Sequence, residues 1–220
     1  MAVYDLHSHT VFSDGELIVS ELARRASVAG LSGIGMTDHG DMANVDFIVP
    51  RVAAAAAQWN KLPGFRVVPG IELTHVPPPY MAELVRRARD LGAAIVVVHG
   101  ETVVEPVAPG TNRAAILAGA DILAHPGLLS EEDAVLARDR GVLLEITARK
   151  GHSLTNGHVA ALAKKTGAGL VLNSDAHSPS DILTPEHAKT VALGAGLSLA
   201  DYSVMQQNSL DLVNRALAGR

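Results

Sequence analysis

Short apolar runs alternate with helical stretches along this 220-residue chain, and that alternation restricts the fold more than any other feature. Val3 to Leu6, Gly33 to Asp38, Phe65 to Ile71, Ala94 to Val98, Asp121 to Ala124, Val142 to Ile146 and Leu170 to Ser174 read as strands. Between the first two, Glu16 to Ala29 carries Ile18, Leu22 and Ala26 at helical spacing, with Gly30 as a stop. Asp46 to Asn60, Tyr80 to Leu91, Thr111 to about Ala118 and Gly157 to Thr166 read as further helices. Ser130-Glu-Glu-Asp133 resembles a capping box, and Thr184-Pro185 puts proline at a first helical position. Right-handed crossovers between successive strands force a parallel sheet, and seven such strands can close. The expected fold is therefore α/β, a (βα)7 TIM-like barrel. No linker or composition break divides residues 1–220, so one domain is expected, with the segment from Ser198 packed outside the barrel.

Active sites of such barrels gather at the C-terminal ends of the strands. His7 and His9 stand two apart at the end of the first strand, on one face of an extended backbone. His39, Glu72, His99, His125, Asp175 and His177 close later strands, and Asp14 lies in the turn after the first. Singly, each has an ordinary reading: Asp14 as a helix cap, His39 and His125 as core imidazoles, Glu72 as a surface carboxylate. Together they place six histidines and three carboxylates at one rim, too many for one ion. Nine donors suit two or three divalent cations, and mixed imidazole and carboxylate ligation favours zinc, manganese or iron. Cations about 3.5–4 Å apart could share an activated hydroxide or clamp the oxygens of a displacement at phosphorus.

Asp5 and Asp38 alternate away from the donors and are expected to accept hydrogen bonds from imidazole N–H groups as supporting carboxylates. Glu145 faces the same mouth as a further ligand, a supporting group or a substrate contact. Arg149, Lys150 and His152, after the sixth strand, form either a solvated basic loop or a phosphate clamp, with Arg113 a weaker candidate of the same kind. His75, His158 and His187 are expected at the surface. The irregular stretch from Gly100 to Gly110, with Pro106 and Pro109, has the length of a lid or binding loop.

Composition sets outer bounds. Aromatics make up 3% of the chain and hydrophobic residues 48%, so the core must be built from Ala, Val, Leu and Ile. The net charge of −5 argues against a long grip on nucleic acid. There is no cysteine, which excludes disulfides and suits the cytoplasm. No apolar run has the length of a membrane span.

The set Asp5-Leu-His7-Ser-His9, Ser13-Asp14-Gly15, Thr37-Asp38-His39, Gly70-Ile-Glu72, His99, Ala124-His125-Pro126 and Ser174-Asp175-Ala-His177 resembles the PHP family, the polymerase and histidinol phosphatase domain. The resemblance runs from Asp5 to about Leu183. It implies a distorted seven-stranded barrel holding a trinuclear centre. His7, His9, Glu72 and Asp175 would hold one ion, with Glu72 bridging to a second held by His99 and His125. Asp14, His39 and His177 would hold the third. Most members are phosphoesterases, so hydrolysis of a small phosphorylated metabolite or nucleotide by a metal-activated hydroxide is the expected activity. The alternatives are an amidohydrolase-like hydrolase of C–N bonds, which would use two ions, and a non-catalytic barrel subunit.

Overall fold

The computed structural model describes residues 2–218. Its strands are β1 (Tyr4–Asp5), β2 (Gly33–Met36), β3 (His39–Gly40), β4 (Arg66–Leu73), β5 (Ile95–His99), β6 (Ile122–Ala124), β7 (Leu143–Thr147) and β8 (Leu170–Asn173). Every pairing is parallel, in the order β1-β2-β4-β5-β6-β7-β8. The two-residue β3 also lies against β4, with His39 opposite Glu72, just beyond the pairing of Met36 with Pro69. It therefore continues β2 after a break at Thr37 and Asp38, and the barrel has seven staves. A parallel bridge from Ser8 to Ala176 joins the first stave to the last. The N–H of His9 donates to Ala176 at 2.9 Å and that of Asp175 to His7 at 3.0 Å, so the ring is nearly closed.

Among the described residues eight α-helices surround the staves: α1 (Val19–Val28), α2 (Val45–Trp59), α3 (Met81–Asp90), α4 (Thr111–Ala118), α5 (Glu131–Arg140), α6 (Asn156–Thr166), α7 (Pro185–Gly194) and α8 (Leu199–Leu217). Their apolar sides meet the outward side chains of the strands, such as Ile34, Val67, Val96, Val98, Leu123 and Leu172. Inward residues Leu6, Val68, Ile95, Val97, Ile122, Ala124 and Val171 form a separate inner core. Both faces of the staves are thus buried, which is why the strands read as unbroken apolar runs. Ser130 caps α5 by accepting from the N–H of Asp133, and Thr184 caps α7 by accepting from that of His187.

The last helix departs from the expectation of a place outside the barrel. Leu212 and Val213 of α8 belong to the inner core. The Asn208 amide donates to the carbonyl of Leu170, the first residue of β8, at 2.8 Å. α8 therefore lies across the N-terminal ends of the staves. Its Leu212 and Val213 complete the inner core at that end and keep it from water.

Candidate metal centre

At the opposite end the strands deliver their polar residues. Parallel staves end at similar heights, so side chains far apart in sequence meet. His7 Nε2 lies 3.3 Å from Glu72 Oε1, and His9 Nε2 lies 3.1 Å from Asp175 Oδ1. His125 Nε2 is 3.7 Å from Glu72 Oε1 and from Asp175 Oδ2. Asp14 Oδ1 faces His177 Nε2 at 3.3 Å and His39 Nε2 at 3.6 Å. All nine strand-end and turn donors are brought to one mouth, a cavity of ≈ 200 Å³ whose lining includes Asp14, His39, His99, Asp175 and His177. His9, Asp14, His39 and His177 offer donor atoms all within 4.8 Å of one another, as do His7, His9 and Asp175, and likewise His99, His125 and His152.

The backbone is bent to achieve this. Among the described residues the non-glycine positions with positive φ are His75 (52°), His125 (28°) and Asp175 (55°), and all three belong to the mouth. Such strain persists only where surrounding structure over-determines it.

The donors fit divalent cations. His7 Nε2, both ring nitrogens of His9, Glu72 Oε1, His125 Nδ1 and Asp175 Oδ1 are buried without a hydrogen-bond partner. Orphaned buried polar atoms are costly, and lone pairs facing lone pairs at 3–4 Å need positive charge between them. Protons partly serve. Burial pushes the Asp175 carboxyl up to about 7. Burial would raise Glu72 as well, but His7 and His39 hold it well below the usual range. Burial, and after it the neighbouring His39, holds His9 well below the ordinary imidazole value. Burial and His99 do the same to His125. His9 and His125 are thus held in the neutral form that binds metal, whereas His7, which the carboxylates around it raise, and Asp175 must release protons to an incoming cation.

Glu145 lies among these donors and could share an ion with His7 and His125. Its Oε1 lies 2.8 Å from His7 Nδ1 and accepts from the Asn173 amide, and its Oε2 accepts from the backbone N–H of His125. Asp5 and Asp38 do not meet imidazoles as expected. Asp5 accepts from the N–H and hydroxyl of Ser174, and Asp38 from the N–H and hydroxyl groups of Thr10 and Ser13. Both carboxylates point away from the donors that follow them, and the groups on that side are turn N–H groups and hydroxyls. They hold the loops that carry His7, His9 and Asp14.

The basic candidates divide. Arg149 lines the mouth and reaches Asp181 at 3.2 Å. Lys150 is exposed and lines only an adjoining groove of ≈ 640 Å³, which Arg149 shares. Arg113 does not face the site, because α4 lies outside the barrel and the guanidinium pairs with Asp133 on α5 at 2.8 Å. His152 is buried among the donors, its ring stacked on His125 with centroids 4.2 Å apart. His158 bonds the Leu129 carbonyl at 2.8 Å, away from the mouth. His75 is exposed, as expected, and its ring also stands at the edge of the mouth. Glu105 was not singled out by the sequence reasoning at all. It also lines the mouth, 3.2 Å from the Nε2 atoms of both His75 and His99. The available signal was its place in the long loop after a histidine-ending strand.

Among the described residues no helix is long and apolar enough to cross a membrane. The model of the PHP domain matches residues 5–107. An uncharacterized protein of Methanocaldococcus jannaschii is 47% identical over 197 residues, spanning 89% of this chain and 90% of that one. A probable phosphatase of Clostridium novyi is 31% identical, spanning 80% and 79%. Ribonuclease P protein component 3 of Methanosarcina barkeri is 30% identical, spanning 88% and 81%. Among solved structures, archaeal ribonuclease P with mature tRNA contains a chain similar at TM-score 0.72 and 17% identity, covering 97% of this chain and 90% of that one. Histidinol phosphate phosphatase from Lactococcus lactis, complexed with zinc, L-histidinol and phosphate, is similar at TM-score 0.62 and 16% identity, covering 89% and 94%. The ribonuclease P likenesses run against the expectation, drawn from net charge, that this chain has no long nucleic-acid partner. With curated relatives matched over most of their length and its donors gathered at one end of a seven-stave barrel, the chain belongs to the PHP domain family.

Proposed function

We propose that the protein is a phosphoesterase that hydrolyses a small phosphorylated compound at a cluster of up to three divalent cations. The observation that carries this reading is the convergence of orphaned buried donors from both ends of the chain on one small cavity. A structural cation site is closed and four-coordinate, whereas this mouth offers far more donors than one ion uses. Bound cations supply an activated water and neutralise phosphoryl oxygens.

The residues divide the work. His7, His9, Glu72 and Asp175 hold one cation, His99 and His125 a second, and Asp14, His39 and His177 a third. Glu145 fixes His7 with its Nε2 lone pair toward the cavity, and Asp5 and Asp38 hold the loops beneath. Arg149 stands where cavity and groove meet, placed to take phosphate oxygens in a forked contact. The groove beyond, with Lys150 and His187, receives the rest of the substrate. The cavity of ≈ 200 Å³ admits a phosphoryl group rather than a bulky polymer. The Asp14, His39 and His177 group provides a cation position that a two-ion C–N hydrolase does not call for.

Elemental analysis together with hydrolysis of a chromogenic phosphate ester in zinc, manganese or iron tests the proposal. Asp175→Asn and His9→Ala should each lower bound metal and abolish hydrolysis. Full activity in either variant refutes the assignment.

The likeness to ribonuclease P component 3 supports a second reading, a barrel that serves in an RNA complex. That role does not require nine donors aimed at one cavity. RNA binding that survives Asp175→Asn, in a protein hydrolysing no phosphate ester, would favour it.

A further inference from the structure

Three donors at the mouth lie outside the nine strand-end and turn positions: His75, Glu105 and His152. Glu105 is the point at which they meet. Its Oε2 lies 3.2 Å from His75 Nε2 and 3.2 Å from His99 Nε2, and its Oε1 lies 3.4 Å from His152 Nε2. The His99 contact is not an ordinary hydrogen bond of a neutral ring. His99 Nδ1 is 3.1 Å from the Gly100 carbonyl, which only an N–H can satisfy. The neutral ring then presents a bare lone pair at Nε2, facing a carboxylate oxygen. His152 Nδ1 is likewise engaged, by the Thr102 hydroxyl at 2.7 Å. His99, His125 and His152 bring one nitrogen each within 4.8 Å of one another, with Glu105 against two of the three rings. Glu105 also groups with His75 and His99, so it adjoins the three imidazoles through His99 and His152, and three imidazoles with one carboxylate are the number and kind of donors a tetrahedral zinc-like ion takes.

We propose that Glu105 and His152 are ligands of the cation held by His99 and His125, and that Glu105 is the ligand an anionic substrate displaces. The proposal rests on the mouth being a divalent-cation centre. Its second half follows from where Glu105 is mounted. His99 and His125 are buried at strand ends, whereas the Glu105 side chain is 37% exposed at the tip of the 100–110 loop. The feet of that loop are pinned. Glu101 Oε1 accepts from the N–H groups of Gly110 and Asn112, and Asn112 Oδ1 accepts from that of Glu101. The tip can therefore give up its carboxylate without disturbing the barrel. A phosphoryl oxygen brings the same charge and donor type as the carboxylate oxygen it replaces, so the exchange leaves the coordination number unchanged.

Zinc titration against a competing chelator, on the whole protein and on Glu105→Gln, tests both halves. Glu105→Gln should weaken one cation at least tenfold and leave the others unchanged, and cobalt substitution should show an altered visible spectrum for that ion. Glu105→Asp, which keeps a carboxylate, should recover part of the affinity, as a folding defect would not. At saturating zinc, inorganic phosphate should bind Glu105→Gln severalfold tighter than the wild type. An unchanged zinc titration, or phosphate binding that weakens instead, overturns the proposal. Wild-type protein that takes up no cation overturns this and the phosphoesterase reading together. The expected zinc result in a protein that hydrolyses no phosphate ester overturns the phosphoesterase reading alone.

Discussion

Glu145 Oε1 and His7 Nδ1 lie 2.8 Å apart with both side chains wholly buried, and this pair sets the direction of the first imidazole of the cluster. Glu145 accepts a hydrogen bond from Nδ1–H, so Nε2 is the ring atom that His7 turns toward Glu72 and Asp175. Burial alone would lower His7, but Glu145, Glu72 and Asp175 around it raise it well above the ordinary value. Replacing Glu145 with Gln keeps the shape and removes the charge. Loss of such a supporting partner typically costs about 10–100-fold in metal affinity. Zinc titration by calorimetry should show a loss of that size, and wild-type affinity in the variant would contradict the role.

Arg149 and Arg113 should separate cleanly. A charge-assisted hydrogen bond is worth about 1.5–3 kcal/mol, so Arg149→Ala should raise KM for a phosphate ester roughly 10- to 100-fold with bound metal unchanged. Arg113 is exposed, and its pair with Asp133 is the kind worth about 1 kcal/mol or less. Arg113→Ala should leave KM unaltered and stability within about 0.5 kcal/mol. Steady-state kinetics on the two variants checks both expectations.

Burial lifts the Asp5 carboxyl from 3.8 to about 6. A carboxyl raised in the folded state binds its proton more tightly there than in the unfolded chain. Its contribution therefore favours folding at low pH and is lost as pH rises from about 4 through about 6. The full effect is at most about 3 kcal/mol. Chelator-treated Asp5→Asn should lack it. Denaturant unfolding should show the stability difference, variant minus wild type, growing between pH 4 and pH 7. A flat difference would remove Asp5 as the cause.

Leu212 stands with the inner core although it belongs to the last helix. Truncating a buried leucine to alanine costs about 2–5 kcal/mol, so Leu212→Ala should lower the unfolding free energy by that amount. Bound metal should stay the same, because the gathered donors lie at the other end of the staves. Reduced stability with unchanged zinc content is the expected pair of results.

The barrel was legible because parallel strands buried on both faces leave continuous apolar runs, and because Ser130 and Thr184 mark helix starts through local chemistry. The nine donors were legible for a related reason. A histidine or carboxylate that ends an apolar strand has no bland place to go. Glu105 escaped because loop residues have no period. The partners of Asp5 and Asp38 escaped because alternation says which side a side chain takes but not which N–H groups wait there. The place of α8 was hidden because an apolar helix side does not say whether it covers a flank or an end.

The bridge between Ser8 and Ala176 has a consequence for how the protein comes into being. At a synthesis rate of about 5–20 residues per second, the first stave waits roughly 8–34 s for the partner that completes it. A ribosome-bound chain halted after α5 carries His7 and His9 without Asp175 and His177, and so has no finished cradle in which to lodge a cation. The full set of donors is thus assembled in one late step, and a prematurely released fragment lacks it.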